Sequence, residues 1–343
     1  MNMRTPLRLL GGFAILSVVA FALFAMQLNT MLQPVDVPAV AQESVLVSLP
    51  AGSSSVRIAG ILEENGLVRN ATVFRYYAKY KGMDQKLKAG NYVLQYGMTM
   101  DELLAELTEG NVYRPTIKVT IPEGYVIEQI AERLSQTGLV DYDEFMDLAA
   151  ATVPAMGQTH PDQRYALEGY LYPDTYEFDV DASPQAIINR MQARLKEVFT
   201  PDMHTRAKEL GLSFQEVIIL ASLVEREVQA PQERELVAAV LHNRLKRKMP
   251  LQLCASVLYA LGEHRPRVLY EDLEIDSPYN TYKISGLPPG PIASPGKQSV
   301  MAVLYPADVD YLYYVAKEDG SGTHLFGRTN AEHQANIRKV RNR

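Results

Sequence analysis

The chain has 343 residues, of which 47% are hydrophobic and 22% are charged, a composition typical of globular proteins and not of disordered or repetitive ones. Its net charge of −6, from 34 Lys and Arg against 40 Asp and Glu, excludes the broad basic surface on which nucleic-acid binding depends. A single cysteine, Cys254, excludes an internal disulfide framework and a cysteine-rich zinc site.

The first predicted element is an uncharged apolar run at residues 9–26, which we interpret as a membrane-spanning helix. A helix of this length extends about 27 Å, close to the thickness of the hydrocarbon core of a bilayer. Arg4 and Arg8 precede the run, and no Lys or Arg follows before Arg57. The positive-inside bias therefore leaves residues 1–8 in the cytoplasm and sends the rest of the chain across the membrane.

The segment after the apolar run allows a second interpretation of the amino terminus, as a cleaved signal peptide. Residues 39–41 (Ala-Val-Ala) have the small side chains of a cleavage site, but they lie farther from the apolar run than an ordinary cleavage region does. We therefore favour a retained anchor. Residues 27–44 contain Pro34 and Pro38 and almost no charge, and we interpret them as an extended linker.

Two copies of one sequence pattern, at residues 47–68 and 119–140, organise the first half of the chain beyond the linker. Each copy predicts a short strand, a Pro-x-Gly turn, an amphipathic helix and a glycine at which the helix stops. The identical pairs are Val47 and Val119, Pro50 and Pro122, Gly52 and Gly124, Ile58 and Ile130, Ala59 and Ala131, Leu62 and Leu134, Gly66 and Gly138, Leu67 and Leu139, and Val68 and Val140.

Three further elements are predicted between the two copies. Residues 74–81 form an aromatic-rich helix, and the alternation of Tyr92 and Leu94 predicts a strand. Thr99 followed by Glu102 is a capping-box pattern and predicts the start of another helix. The whole region serves either as scaffolding or as a glycan-binding module, because such strand–helix units resemble LysM modules, which bind N-acetylated sugar polymers.

The second half is predicted to centre on a buried helix over residues 213–228. Ser213 and Glu216 form a capping box, and the following segment is apolar all round except for Ser222. A second helix over residues 232–247 is predicted after the break at Pro231.

Two carboxylates, Glu225 and Glu227, end the apolar stretch of the central helix. Burial raises the pKa of a glutamate, and a general acid that donates to a glycosidic oxygen at neutral pH needs such a raised value. Helical spacing allows either residue to fill this role. It slightly favours Glu225, because the side chains on that face of the helix are small and polar enough to line a cleft. The alternative is that either residue forms an ion pair with Arg226, Arg234 or Arg244.

Other chemistries find little support in the sequence. His242, His324 and His333 lack the spacing of metal ligands, and there is no HExxH, Gly-x-Ser-x-Gly or phosphate-loop pattern. We therefore expect neither a metal nor a cofactor. The Gly- and Pro-rich run at residues 286–296 is predicted to form a rigid loop, a possible wall of a groove.

Several long strings in one order carry a resemblance to a known family. They are LEGYLYPDTYEF (167–178), ASLVERE (221–227), VAAVLHNRL (237–245), SPYNTY (277–282) and GLPPGPIASPG (286–296). Together with the paired Pro-x-Gly units and the amino-terminal apolar run, they resemble the YceG-like family of endolytic murein transglycosylases from about Val45 to the end of the chain.

The resemblance implies a lytic transglycosylase that cuts peptidoglycan glycan strands internally. Such enzymes cleave the β-1,4 bond between N-acetylmuramic acid and N-acetylglucosamine and leave a 1,6-anhydro-muramic end. The family's acid maps to Glu225, the first glutamate of ASLVERE. A single acid/base residue would suffice, without metal or cofactor. Plausible substrate-binding residues are Ser222, Asn243, Gln252, Asn280 and Tyr282, whose polar groups suit acetamido and hydroxyl partners.

The resemblance also implies an organisation, with an α+β fold class throughout the extracytoplasmic part. We expect a cytoplasmic amino terminus, a single membrane-spanning helix and a linker, and then a LysM-like glycan-binding region at residues 45–155. An α+β catalytic domain with the central buried helix follows at residues 156–343. The expected location is the inner (plasma) membrane. The expected partners are peptidoglycan strands and peptidoglycan synthases such as penicillin-binding proteins. We do not expect the protein to bind nucleic acid.

One departure from the family pattern keeps an alternative function open. Where the family has Asp-Pro after its Leu-Gln string and one further residue, this chain has Cys254-Ala255. If the family's Asp orients substrate or acid, the protein is a weak or inactive glycan-binding scaffold that recruits wall synthases. A muramidase that adds water is a third alternative, which we rank last because the sequence identifies no second catalytic carboxylate.

Overall fold

The computed structural model describes residues 18–23, 25–35, 44–110, 112–262 and 268–342. Helices dominate these ranges, and their strands form three separate two-stranded antiparallel sheets. The predicted α+β class is therefore confirmed. The fold divides into two compact units, one ending at Pro115 and the other beginning at Thr116. The predicted functional boundary between residues 155 and 156 stays a prediction.

The amino-terminal prediction falls largely outside the described ranges. Residues 18–23 and 25–32 are helical, whereas residues 9–17 of the predicted membrane-spanning segment are not among the residues described. Across the described ranges, no helix combines the length and the apolar character needed to cross a bilayer.

The first unit contains the first copy of the repeat. Strand β1 pairs antiparallel with β2, and Val47 lies opposite Tyr92 with both side chains buried. The predicted strand at Tyr92 and Leu94 and the capping box at Thr99 are confirmed. The elements are β1 (Ser44–Leu49), α1 (Ser55–Glu64), α2 (Ala71–Tyr80), β2 (Gly90–Gln95) and α3 (Met100–Glu109).

The second unit begins with the second copy of the repeat. Its Pro-x-Gly turn has Gly124 at φ +76°, a left-handed conformation that glycine adopts without steric cost. Strand β3 pairs antiparallel with β4, a strand formed by the end of the LEGYLYPDTYEF string, for which no strand was predicted. The elements are β3 (Thr116–Thr120), α4 (Ile127–Ser135), α5 (Tyr142–Ala151) and β4 (Thr175–Asp179).

Helix α8 (Phe214–Glu227) is the predicted central buried helix, and four other helices of the second unit pack against it: Pro201–Glu209, Arg234–Lys246, Cys254–Leu261 and Lys297–Leu304. Eight consecutive residues, Val217–Val224, are buried, because neighbouring helices surround α8. The elements are α6 (Pro184–Val198), α7 (Pro201–Glu209), α8 (Phe214–Glu227), α9 (Arg234–Lys246), α10 (Cys254–Leu261), α11 (Lys297–Leu304), β5 (Tyr313–Ala316), β6 (His324–Gly327) and α12 (Asn330–Arg341), with 3₁₀ turns at Pro231–Glu233 and Glu271–Glu274.

Candidate active site

Helix α8 brings two glutamates to the edge of the core on its last turn. The helix begins at the Ser213–Glu216 capping box and ends where Val228 turns to extended backbone, with φ −93° and ψ 118°. Glu225 and Glu227 follow the buried segment directly. Because they are two positions apart on a helix, their side chains point to different surroundings.

Glu225 lies in a charged and nearly closed environment. Its side chain is 8% exposed and has one oxygen 3.6 Å from Nη2 of Arg234. The other oxygen accepts a hydrogen bond from the backbone N–H of Gly296, 3.0 Å away, at the end of the Gly- and Pro-rich loop. The Glu225 carboxyl is therefore engaged by groups of this chain on both of its oxygens.

A second carboxylate, that of Glu123, lies beside this ion pair. A β-carbon at Gly296 would fall 2.0 Å from the Glu123 carboxyl carbon, so only a glycine allows this approach. The pKa of Glu123 is raised by loss of hydration and by the charge of Glu225, while Arg234 opposes the rise. Glu123, Glu225 and Arg234 are hereafter the charged cluster.

Glu227 lies in a different environment on the other side of the helix end. One carboxyl oxygen accepts the backbone N–H of Ala255 at 3.1 Å, and the other accepts the hydroxyl of Tyr314 at 3.0 Å. Burial raises the pKa of Glu227, and these two hydrogen bonds offset only part of the rise. The carboxyl therefore tends to keep its proton, as a general acid must.

Three adjoining cavities, which we call the trough, surround the ends of α8 and α10. Their volumes are about 500, 550 and 330 Å³. The first and second share the wall residues Arg226, Ala255 and Leu258, and the second and third share Glu227, Cys254, Ala316 and His324. Among the described residues, Glu227 lines two of the three cavities and Glu225 lines none of them.

Two of the five predicted binding residues lie in the trough. Gln252 and Tyr282 both line its third cavity, and Gln252 accepts a hydrogen bond from Nη1 of Arg244 at 3.3 Å. Gln252 has a left-handed backbone conformation, with φ +55°.

The other three predicted binding residues hold the chain's own backbone. Ser222 is fully buried and accepts the N–H of Ile292 at 3.1 Å. Asn243 donates to the carbonyls of Val309 and Tyr311, and the buried Asn280 donates to two carbonyls of the preceding turn. Among the described residues, these three line none of the cavities of the trough, and their predicted contact with substrate stays a prediction.

The departure at Cys254-Ala255 lies directly against Glu227. Ala255 is in the first turn of α10, and its N–H is the donor that Glu227 accepts. A proline at this position, as in the family pattern, has no N–H to donate. The thiol of Cys254 lies 3.4 Å from the hydroxyl of Tyr282.

A fourth glutamate, Glu168, is fully buried within the LEGYLYPDTYEF string. One oxygen accepts the hydroxyl of Tyr259 at 3.0 Å and the N–H of Ile127 at 3.3 Å, whereas the other is buried without a hydrogen-bond partner in the described part of the chain. Burial, followed by the charge of Glu128, raises the pKa of Glu168 to about 8.

Neither Glu123 nor Glu168 was predicted as a functional residue from the sequence. Glu123 occupies the variable position of the second Pro-x-Gly turn, where the first copy has Ala51. This difference between the two copies could have marked Glu123 as a candidate functional residue. Glu168 carries no such signal, because an acidic residue in an aromatic string is more often exposed than buried.

Comparison with known proteins agrees with these features. A family model described as the YceG-like family matches residues 47–339. A Bacillus subtilis (strain 168) protein named endolytic murein transglycosylase is 37% identical over 318 residues, which cover 89% of this chain and 86% of that protein.

Two further relatives and one solved structure extend the comparison. Two Streptococcus pneumoniae proteins with the same name are 34% identical over 351 residues, and the match spans 94% of this chain but 63% of their length. A crystal structure of a putative yceG-like protein from Listeria monocytogenes aligns with a TM-score of 0.60 at 36% identity, covering 86% of this chain and 99% of that one.

Proposed function

Since the chain belongs to the YceG-like family, we propose that it is an endolytic murein transglycosylase, a lyase that cuts peptidoglycan glycan strands at internal bonds. The names of its relatives in two genera support this activity. The observation that carries the proposal is the Glu227 carboxyl in the wall of the trough, with a pKa raised by burial.

Glu227 is our candidate for the general acid, although the sequence resemblance assigns that role to Glu225. Glu227 has a pKa raised by burial and lines two cavities of the trough, and both properties suit proton donation to a glycosidic oxygen. Glu225 instead accepts a peptide N–H, neighbours Arg234 and, in the described part of the chain, lines none of the three cavities. Exchanging each glutamate for glutamine distinguishes the two assignments.

The proposed reaction begins when the Glu227 carboxyl donates its proton to the oxygen between the two sugars. The bond from that oxygen to C1 of the muramic residue breaks, and N-acetylglucosamine leaves. The C6 hydroxyl of the muramic residue then bonds to C1, closing the 1,6-anhydro ring, and gives its proton to a base in the trough. In the simplest scheme this base is the Glu227 carboxylate. Because the attacking hydroxyl belongs to the same sugar, proximity supplies several kcal/mol of the barrier reduction.

The trough supports cleavage within a strand rather than at its end. Its first and third cavities each share wall residues with the second, and no described residue lines both the first and the third. All three border the end of α8 or the start of α10. A chain of sugars can therefore extend in both directions from Glu227. Gln252 and Tyr282 are candidates for hydrogen bonds to the sugar on the third-cavity side.

The test is digestion of purified sacculi followed by mass spectrometry of the released fragments. We expect internal fragments with 1,6-anhydro ends from the wild-type protein and none from E227Q. Reducing ends would identify a muramidase that adds water. Binding to sacculi without any cleavage would identify a glycan-binding scaffold, and either result would overturn the proposal.

The location and further partners are part of the same proposal. The apolar run at residues 9–26 and its flanking charges support a single-pass anchor in the inner (plasma) membrane with the enzyme outside the cytoplasm. Such an anchor would hold the trough near nascent strands and the synthases that make them.

We also propose that residues 45–155 bind glycan in a LysM-like manner, which a sacculus pull-down with this region deleted would test.

A further inference from the structure

A buried carboxylate–imidazole pair lies beside the proposed acid and has no part in the scheme above. His324, in the GTHLFGRTNAEH string, begins strand β6, and Glu233 ends the 3₁₀ turn before α9. Nδ1 of His324 lies 2.7 Å from a Glu233 carboxyl oxygen, and the side chains are 8% and 10% exposed respectively. The backbone N–H of His324 also donates to both Glu233 oxygens, at 3.1 and 3.0 Å.

These contacts determine which ring nitrogen carries the proton. Glu233 accepts the backbone N–H of His324, so it acts as an acceptor towards Nδ1, which must then be the donor. In the neutral ring this leaves Nε2 with a free lone pair. Within the described part of the chain no hydrogen bond to Nε2 is found, and the residue lines both cavities that Glu227 lines. A carboxylate that orients an imidazole in this way is the arrangement of a general base.

Tyr314 connects the pair to the proposed acid. Its hydroxyl donates to Glu227 at 3.0 Å, and its ring meets the His324 ring edge-on, with centroids 5.1 Å apart and planes at 79°. The two rings and the Glu227 carboxyl therefore border one stretch of the trough. A sugar whose glycosidic oxygen faces Glu227 would lie in cavities that His324 also lines.

We propose that His324, oriented by Glu233, is a second catalytic residue that accepts the C6 hydroxyl proton of the muramic sugar. This inference rests on the proposed function and divides the two proton transfers between two groups. Glu227 gives a proton to the departing oxygen as the bond to C1 breaks. The C6 oxygen bonds to C1 while its proton moves to Nε2 of His324. Exchange with solvent then returns a proton to Glu227 and removes one from His324, so the cycle balances.

Other titratable groups face the same stretch of the trough and bear on any pH profile. Besides Glu233, the groups are Glu227 from α8, Arg244 from α9, Cys254 from α10, Tyr282 from the segment between α10 and α11, Tyr314 from β5 and His333 from α12. Lys317 and Glu318 line the second cavity beside His324. An experiment that identifies His324 must therefore change it alone and include a signature specific to an imidazole.

The experiment measures the rate of anhydro-fragment release against pH for the full chain and four variants. The variants are H324A, H324Q, E233Q and, as a control at an exposed site away from the trough, H160Q. We expect the H324 variants to cleave roughly a hundredfold more slowly and to lose the acid limb of the profile. We expect added imidazole to restore part of the H324A rate, and E233Q to cleave roughly tenfold more slowly because the ring loses its orienting charge.

The outcomes separate this inference from the proposed function. If the wild-type protein releases no anhydro ends, the proposed function fails. If it does release them, and H324A keeps the wild-type acid limb and gains nothing from imidazole, then His324 does not accept the proton, whatever its effect on rate. Circular dichroism and the melting temperature of H324Q establish whether a lost rate reflects lost folding. An unchanged profile in a folded H324Q also overturns the inference.

Discussion

The two sides of the last turn of α8 surround a glutamate carboxyl with different groups. On one side, Glu225 meets Arg234 and the N–H of Gly296, with Glu123 close by. On the other, Glu227 meets a tyrosine hydroxyl and one peptide N–H in the wall of the trough.

This difference shows how one helix end places two identical side chains in surroundings of opposite character. A cation and a peptide dipole favour the charged form, whereas desolvation favours the neutral one. Sites of this kind commonly assign acid and charge-bearing roles by environment rather than by residue type. The comparison therefore predicts different consequences for the same substitution at the two positions.

The largest expected effect is on cleavage by E227Q and E225Q. E227Q removes the donated proton and should lower the rate of strand cleavage by at least about a hundredfold. E225Q keeps a side chain that can still accept the Gly296 N–H, so it should retain most of the rate. Fragment release from sacculi measures both variants. The reverse pattern would return the acid role to Glu225.

The next largest effect concerns the stability conferred by Glu168, which extends the comparison to a fully buried glutamate. Its folded-state pKa of about 8 lies above the ordinary value of 4.5, so the folded state binds a proton that the unfolded chain releases between these values. Wild-type stability should therefore fall as pH rises from about 4.5 to about 8. E168Q has no carboxyl at this position and lacks this pH dependence. The unfolding free energy of E168Q relative to that of the wild type should therefore rise by up to ~5 kcal/mol across that window. Denaturant titrations at several pH values measure the difference. A pH-independent difference would contradict the assignment.

A smaller effect should follow from removing the cation of the charged cluster. R234Q leaves Glu225 and Glu123 without their counter-charge and should lower the unfolding free energy by roughly 1–3 kcal/mol. Adding E123Q should recover part of that loss, because one of the two like charges is then gone. A double-mutant cycle at neutral pH measures this coupling. Strictly additive losses would show that the three groups do not interact.

The smallest effect is a shift of the pH–rate profile in A255P. Proline is tolerated in the first turn of a helix but cannot donate the hydrogen bond that lowers the pKa of Glu227. The pKa of Glu227 should rise further, and the alkaline limb of the cleavage profile should move to higher pH. A255G keeps the N–H and serves as the control. Equal shifts in both variants would assign the effect to something other than this bond.

Much of the local structure could be predicted from the sequence. The capping boxes at Thr99 and Ser213 located the starts of α3 and α8, and the apolar run before Glu225 predicted a buried helix. Both Pro-x-Gly units form the strand, turn and helix expected of them. These features depend on neighbours close in sequence, which is why patterns reveal them.

The site itself was predicted less completely because it depends on contacts between distant segments. Glu123 approaches Glu225 only because the loop ending at Gly296 packs beside it, and Ala255 reaches Glu227 through the return of α10. Helical periodicity placed the two glutamates on different faces and slightly favoured Glu225, whereas in the described part of the chain Glu227 is the one that lines cavities of the trough. Likewise, Ser222, Asn243 and Asn280 have polar groups suited to a sugar, yet the fold uses them for its own backbone.

The most direct test of the central claim is a carbon-13 NMR titration of the Glu227 carboxyl in protein labelled at glutamate. The resonance that disappears in E227Q identifies it, and E225Q identifies its neighbour. We predict that the Glu227 carboxyl titrates above the ordinary value of 4.5 for a glutamate, as the desolvated wall of the trough requires. Titration at or below that value would mean that Glu227 is ionised at neutral pH and cannot be the proton donor.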